Sequence, residues 1–489
     1  MSSAKWALLR GAGYIVGFRT CNRLLGLAST VVMARLLSPA DYGLLSMAFL
    51  VLGALEALLD FGATTALLRK PDASSEEIDA AWTLRFVQGA LTALLVLAAA
   101  PFAVHAFDEP RLGGILCVLS ACVLAAGAGS LGPTLAQRAC DFTLEFRLQL
   151  TQALVRVATT LAAGLWLRDY RALVIGIAAA YVVPPVLSWC WHPWRPRWNL
   201  RGCRAIWRTT RWLTFAGIWN YALRKSDELL AARLGGPGAL GQYSVGADIG
   251  QLPVGQVAPA LLRALLPVLA SLKTDRVRTV QASLKTLAAL NTLVWPLGVG
   301  LAVVAPAATT LLLGPQWHAA APFVAGFALV SVLQALPAPL VTLLVLDGHT
   351  RAQFQITLSE FVVFAAGCAL LAPRWQLSGL VLARLAGAAA GAATALWLAR
   401  RHCAVPPRAL GAALLRPLGG AALMAALVWS LPEVAANPVL QLAFAIGVGA
   451  LGYVAWIAAS WWLCGRPEGL ESTVLEFAAR RRRRPAPAT

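Results

Sequence analysis

The sequence predicts an all-α polytopic membrane protein: fourteen transmembrane helices in two homologous halves, with an extra pair at the C-terminal end. Three observations predict it. Of 489 residues, 59% are hydrophobic and 13% charged, with a mean hydropathy of +0.68, whereas a soluble chain carries about 25% charge. The apolar residues gather in runs long enough to cross a bilayer, which takes about 20 residues. The chain also repeats itself. Shifted by 198 positions, ARLLSPADYGLLS falls on ARLGGPGALGQYS, so Arg35 meets Arg233, Pro39 meets Pro237, Gly43 meets Gly241 and Ser46 meets Ser244. Farther back, Asn22 meets Asn220. The next segment repeats at a shift of 205, with Pro101 on Pro306 and Pro110 on Pro315. Such internal repeats mark many transporter folds.

The spans are expected to start near Ala12, Tyr42, Ala80, Gly113, Leu148, Ala172, Leu213, Leu240, Leu287, Ala319, Ala352, Leu377, Leu410 and Val439. They divide the chain into a first lobe over 1–195, a basic linker over 196–212, a second lobe over 213–402, the extra pair over 403–466 and a basic tail over 467–489. An even number of spans puts both termini on one side. Of 41 Lys and Arg, only Arg35, Arg111, Arg168, Arg171, Arg233 and Arg374 fall in the loops opposite the termini. Lys and Arg accumulate in cytoplasmic loops, so both termini are expected inside. The net charge of +19 is then a topology signal with affinity for anionic lipid, not a nucleic-acid footprint. The Arg and Trp residues interleaved between Arg195 and Arg211 suit a linker in the headgroup layer. QRACDFTLEFR, ending at Arg147, reads as a short surface helix. Arg19 and Arg23 interrupt the first apolar run, so no cleavable signal peptide is read there.

Several chemistries are not encoded. The nine cysteines show no CxxC and no Cys/His zinc spacing, so neither disulfide nor metal is expected. There is no GxxxxGK[ST], HExxH or nucleophile elbow. The five histidines fall in loops or near span ends. The opposite-side loops are short, leaving no room for a catalytic domain.

The informative residues are charges inside the spans, which cost several kcal/mol unless paired or wetted. The first two spans form a hairpin about Ser38-Pro39, where proline breaks the helix. Equal rise on both sides pairs Arg19 with Asp60 and Arg23 with Glu56, two levels one turn apart. Either these pairs only fix packing or they serve transport. In the seventh span, Asn220, Arg224, Lys225, Asp227 and Glu228 lie near mid-depth, with Arg224 placed to neutralise Asp227 and Glu228 on the same helix. Asp248 in the eighth span shares the depth of Asp227. Arg263, Arg85, Arg156, Glu360 and Arg384 complete the set. So many ionisable groups require a water-filled cavity. Its cationic balance suits an anionic substrate, because arginine grips phosphate bidentately and stays charged.

RLLSPADYGLLSMA, LLDFGATTALLRK, FAGIWNYALRKSDELLAARLGGPGALGQYSVG, PVLASL and LLLGPQWHAAAP together resemble the polysaccharide transporter branch of the multidrug/oligosaccharidyl-lipid/polysaccharide exporter superfamily. The resemblance covers both halves, roughly Tyr14 to Arg400. It implies two pseudo-symmetric six-helix lobes around a central cavity in the bacterial inner membrane. It implies a flippase for undecaprenyl-pyrophosphate-linked oligosaccharide, serving exopolysaccharide, capsule or O-antigen synthesis. The partners implied are this lipid-linked sugar, membrane lipids, a polymerase and other assembly proteins. No cofactor is expected beyond a coupling Na+ or H+. On this reading Arg19, Asn22, Arg23, Arg85, Asn220, Arg224, Lys225 and Arg263 hold substrate, and Glu56, Asp60, Asp227, Asp248 and Glu360 serve ion pairing or coupling. The alternatives are a drug/cation antiporter of the same superfamily, whose cavity should be apolar or acidic, and a membrane glycan polymerase, which needs a large outer loop.

Overall fold

The computed structural model describes residues 25–60, 62, 64, 67, 73–139, 141–199, 203–271, 275–432 and 437–463, with only the backbone given for 203–216 and parts of 264–271. Among these residues every regular element is helical. The chain divides into two compact units, one ending at Gly241 and one beginning at Gln242.

In the first unit, α1 (Leu25–Leu36) ends at the Ser38-Pro39 turn and α2 (Pro39–Leu59) returns. The reversal is encoded locally. Pro39 occupies the first helical position, where its missing amide costs nothing. Ser38 and Asp41 satisfy one another's backbone in a capping box, with the Ser38 amide donating to Asp41 Oδ2 at 2.9 Å. Ser74 and Glu77 build the same cap for α3 (Ser75–Phe107). Then follow α4 (Arg111–Gly127), α5 (Gly132–Arg138), α6 (Thr143–Leu167) and α7 (Arg171–Trp191). Met33, Leu37, Ala172 and Leu173 join the hairpin to α7 in a shared core.

The first unit closes with the opening arm of α8 (Cys203–Ser271), a 69-residue helix broken at Gly236, whose φ of 68° and ψ of −166° are open to glycine. Gly236-Pro237 stands where Ser38-Pro39 stands in the first repeat, and both break the chain between two helical arms.

In the second unit, the closing arm of α8 is followed by α9 (Arg276–Leu313), a 3₁₀ turn at Pro315–Ala320, α10 (Ala321–Ala335), α11 (Ala338–Leu346), α12 (Thr350–Cys403), α13 (Pro407–Trp429) and α14 (Pro438–Leu463). The second repeat interval is visible here too. α3 contains Pro101 and is followed by Pro110, and α9 contains Pro306 and is followed by Pro315. Asn291 lies fully buried in α9 and donates to the Leu336 carbonyl beside the α10–α11 break. Such a carbonyl at membrane depth needs a partner from its neighbours. Trp295 in turn donates to Asn291 Oδ1 at 3.2 Å. Tyr453 of α14 donates to the Thr292 carbonyl of α9 at 2.8 Å, while Leu415, Leu451, Val454 and Trp462 of α13 and α14 are more than half exposed. That is the pattern of helices packed on one face and open to hydrocarbon on the other.

Nine helices among the described residues are long and apolar enough to span a bilayer, or ten if the α4–α5 pair, bent by 48°, counts as one. This differs from fourteen for physical reasons. The charged α8 fails an apolarity test, α12 holds two arms either side of Gln376 (φ 46°), and the part of the first span that is described is short. Two local expectations are corrected. QRACDFTLEFR is not one helix: Asp141 accepts the Thr143 amide at 2.9 Å and starts α6 there. The helix of the second span stops at Leu59 instead of continuing with Asp60 on its face, because Asp60 takes an extended backbone and its carboxylate accepts the Gly62 amide beyond the helix. Within the region of the basic linker, the chain is helical from Cys203 onward.

The segment 192–199, which leads into that linker, runs without regular structure along the first turns of α3. The Arg197 amide donates to Asp79 Oδ1 at 3.2 Å and the Asn199 amide to Thr83 Oγ1 at 3.1 Å. Trp198 stands edge-on to Trp82 and Phe86, each at 5.3 Å. Trp82 is 7% exposed, and its indole N–H donates to the Gly129 carbonyl at 3.0 Å. Trp82→Ala is therefore expected to cost roughly 3–5 kcal/mol. Trp166→Ala, at a side chain 86% exposed, is expected to stay within about 0.5 kcal/mol. Thermal unfolding of the purified variants in detergent checks both.

Candidate functional site

Arg19, Asn22 and Arg23 lie outside the described residues. What surrounds them is described. α2 runs antiparallel to the opening arm of α8. The Tyr221 hydroxyl donates to the Leu50 carbonyl at 2.6 Å, and its ring fills the space that a side chain at Gly53 would take. Glu56 is half-buried on α2, close to this crossing. Asp60 is the first residue past α2, and its carboxylate accepts the Gly62 amide at 2.9 Å. The two acids therefore do not share one helical face.

On the opening arm of α8, Asn220 and Arg224 are exposed, and Asp227 is 3% exposed. The expected partner of Glu228 was Arg224. In the structure Lys225 makes that ion pair instead, at i,i+3 spacing on the same helix, where its compact ammonium on a flexible four-carbon stem meets the carboxylate. Arg85 leans across to α4 and donates to the Ala126 carbonyl at 2.9 Å. A cation over the last carbonyls of a helix is favourable, so the structure gives Arg85 a capping partner.

The second unit carries the remaining residues. On the closing arm of α8, Asp248, Gln251, Gly255, Pro259 and Arg263 are all exposed and recur at three- and four-residue intervals, which aligns them in one stripe. Arg263 Nε donates to the Pro259 carbonyl at 3.2 Å. The opposite face of this arm is apolar and packed, with Gly246 and Gly250 against α10. A polar stripe at membrane depth belongs to a wetted surface. Glu360 on α12 accepts from Gln334 Nε2 of α10 at 2.8 Å, and Gly387 and Gly391 let the second arm of α12 close against it.

Two cavities lie away from these charges. One of about 640 Å³ is lined by α5, the start of α6, Trp191 and His192, with Arg147 and Asp141 at its edge. Burial and the neighbouring Arg195 lower the His192 pKa, while the hydrogen bond from Thr143 lowers that of Asp141. The other, of about 420 Å³, is lined by Arg276, Thr279, Asp347 and His349. At the far end of the first unit, Arg111 pairs with Glu109 at 2.8 Å and holds its carboxyl below the usual range. Sequence reasoning had no role for Gly53 or Tyr221. The register of Gly43 with Gly241 was the one signal in the sequence pointing to the α2–α8 crossing.

A family model described as "Polysaccharide biosynthesis protein" matches residues 32–322. The lipopolysaccharide biosynthesis protein WzxC of Escherichia coli strain K12 is 22% identical over 368 residues, covering 74% of this chain and 73% of that one. The succinoglycan biosynthesis transport protein ExoT of Rhizobium meliloti strain 1021 is 24% identical over 324 residues, 64% of each chain. Among solved structures, the lipid II flippase MurJ in an inward closed conformation matches with a TM-score of 0.72 at 13% identity, covering 91% of this chain and 98% of that one. That likeness shows a shared fold.

Proposed function

Because the chain belongs to the polysaccharide biosynthesis protein family, and is a multi-pass membrane transporter and not an enzyme, we propose that it moves undecaprenyl-pyrophosphate-linked oligosaccharide from the inner to the outer leaflet by alternating access. The proposed topology has fourteen spans and cytoplasmic termini, with lobes over 1–195 and 213–402 joined by the linker 196–212, the added pair over 403–466 and the tail over 467–489. The observation that carries the reading is the family match, joined to polar groups aligned within spans whose other faces are packed and apolar. Arg19 and Arg23, with Asn22, capture the pyrophosphate at the inner end. Arg224, Lys225, Asn220 and Arg263 offer the second grip, and Arg85 borders the entry. Glu56 holds Arg23 in the empty state. Asp227, Asp248 and Glu360 carry the coupling proton or sodium ion. The guanidinium groups match the diphosphate charge throughout its passage, which an unpaired anion could not make through hydrocarbon.

The test is a lipid extraction from a strain lacking the gene. Polyprenyl-linked repeat units are expected to accumulate, exposed only to the inner leaflet, and to clear when the gene is restored. Unchanged lipid-linked sugar together with increased drug sensitivity would favour the antiporter reading instead.

A further inference from the structure

Gly43 and Gly241 face one another's turns. A methyl group built on Gly43 would lie 1.6 Å from the Pro237 carbonyl oxygen and 2.9 Å from the Gly241 nitrogen. A methyl built on Gly241 would lie 1.8 Å from the Pro39 carbonyl oxygen and 2.9 Å from the Gly43 nitrogen. The contact is reciprocal, and all four residues obey the 198-residue repeat: Pro39 matches Pro237 and Gly43 matches Gly241. Within the first unit, two repeat-related helix starts therefore meet backbone to backbone. No side chain fits between them, so any Cβ at either glycine pushes α2 off α8.

The tightness is local. A methyl on Gly238, one residue beyond Pro237, would meet nothing within 4 Å. At Gly53, deeper along the same seam, the obstacle is the ring of Tyr221, a side chain that can swing aside. Between the glycine contact and Tyr221 the opening arm of α8 carries the charged stretch from Arg224 to Glu228, and Glu56 lies beyond Gly53 on α2. Water must be kept from these groups at one mouth while they are open at the other. Backbone contacts without interlocking side chains make a dry seal that can part, since each Cα–H···O contact is weak.

We propose that Gly43 and Gly241 form a paired backbone clasp that closes the outer mouth of the transport path and parts to release substrate. The two glycines act as positioning residues: they touch neither phosphate nor sugar. The proposal rests on the transporter reading above, but its test needs no substrate. In a chain whose native cysteines are replaced by serine, Ala40→Cys and Gly238→Cys, themselves related by the repeat, carry spin labels. Their distance distribution is measured in lipid nanodiscs.

The parent is expected to show a dominant short distance and a minor longer one. Gly43→Ala, and independently Gly241→Ala, is expected to lower the ratio of short to long populations about tenfold, the scale of shift between a major and a minor conformer. Gly114→Ala, whose methyl meets nothing within 4 Å, is expected to leave the distribution unchanged. Alanine favours helix over glycine, so loss of helix does not account for a shift. A single narrow distance in the parent overturns the clasp as a moving gate, even if neither glycine variant inserts. An unchanged distribution in the inserted Gly43→Ala or Gly241→Ala protein overturns it as well. Failure of the lipid-extraction experiment with the distances still responding would sink the substrate and leave the gate.

Discussion

Arg23→Ala is expected to reduce flipping roughly 10- to 100-fold, because a hydrogen bond to a charged partner is worth about 1.5–3 kcal/mol and each 1.4 kcal/mol is tenfold. A pyrophosphate entering from the inner headgroup layer must cross about 30 Å of hydrocarbon. Equal helical rise about the Ser38-Pro39 turn is expected to set Arg23 level with Glu56, a residue half-buried on α2. On the proposed reading the pair is neutral in the empty protein. Under the proposal, phosphate competes for the same guanidinium and frees the acid, which would couple capture to a change in the α2 environment. Removing the arginine deletes the grip and strands a carboxylate, which costs more than the pair was worth. Arg35→Ala, at an exposed position before the turn, is expected to stay within about twofold. The double exchange Arg23→Glu with Glu56→Arg is expected to restore the amount of folded protein but not transport. Flipping of a fluorescent polyprenyl-pyrophosphate saccharide in proteoliposomes separates the two readouts. Parental transport by the exchanged protein would reduce Arg23 to a packing residue.

Asp248→Asn is expected to abolish the response of transport to an imposed proton or sodium gradient and to lower its rate about tenfold, the effect of losing one charged contact. Asp248 begins the polar stripe on the closing arm of α8, exposed on a helix whose other face is packed. A carboxylate so placed can take a proton or cation from one side and release it to the other, which asparagine cannot. Glu360 of the same unit, held by Gln334, is the other acid proposed for coupling there, and Glu360→Gln keeps that hydrogen bond while removing the charge. Rates are measured in proteoliposomes across a range of pH and sodium concentration. A variant at Asp248 that transports as the parent does under every condition would end the coupling role.

The class of the molecule and its repeat were determined by sequence alone. Hydrophobic run length, proline placement and the Ser38/Asp41 and Ser74/Glu77 pairs are local properties, set within one or two turns of chain. Most helix starts and both turns therefore stand where the residues put them. The cationic and acidic residues within the spans were equally legible, because an ionisable group in an apolar run needs no tertiary context to be noticed.

Their partners were not legible. Lys225 rather than Arg224 takes Glu228, Arg85 reaches the end of α4, and Asp60 leaves its helix to accept the Gly62 amide. Each choice depends on which carbonyl or carboxylate another segment brings within reach. The crossing of Gly43 with Gly241 is decided at the same level. Sequence shows two glycines in register, but only the packed chain shows that two backbones meet there. Spacing along a chain specifies which residues share a face, and the free energy of close packing specifies which faces meet.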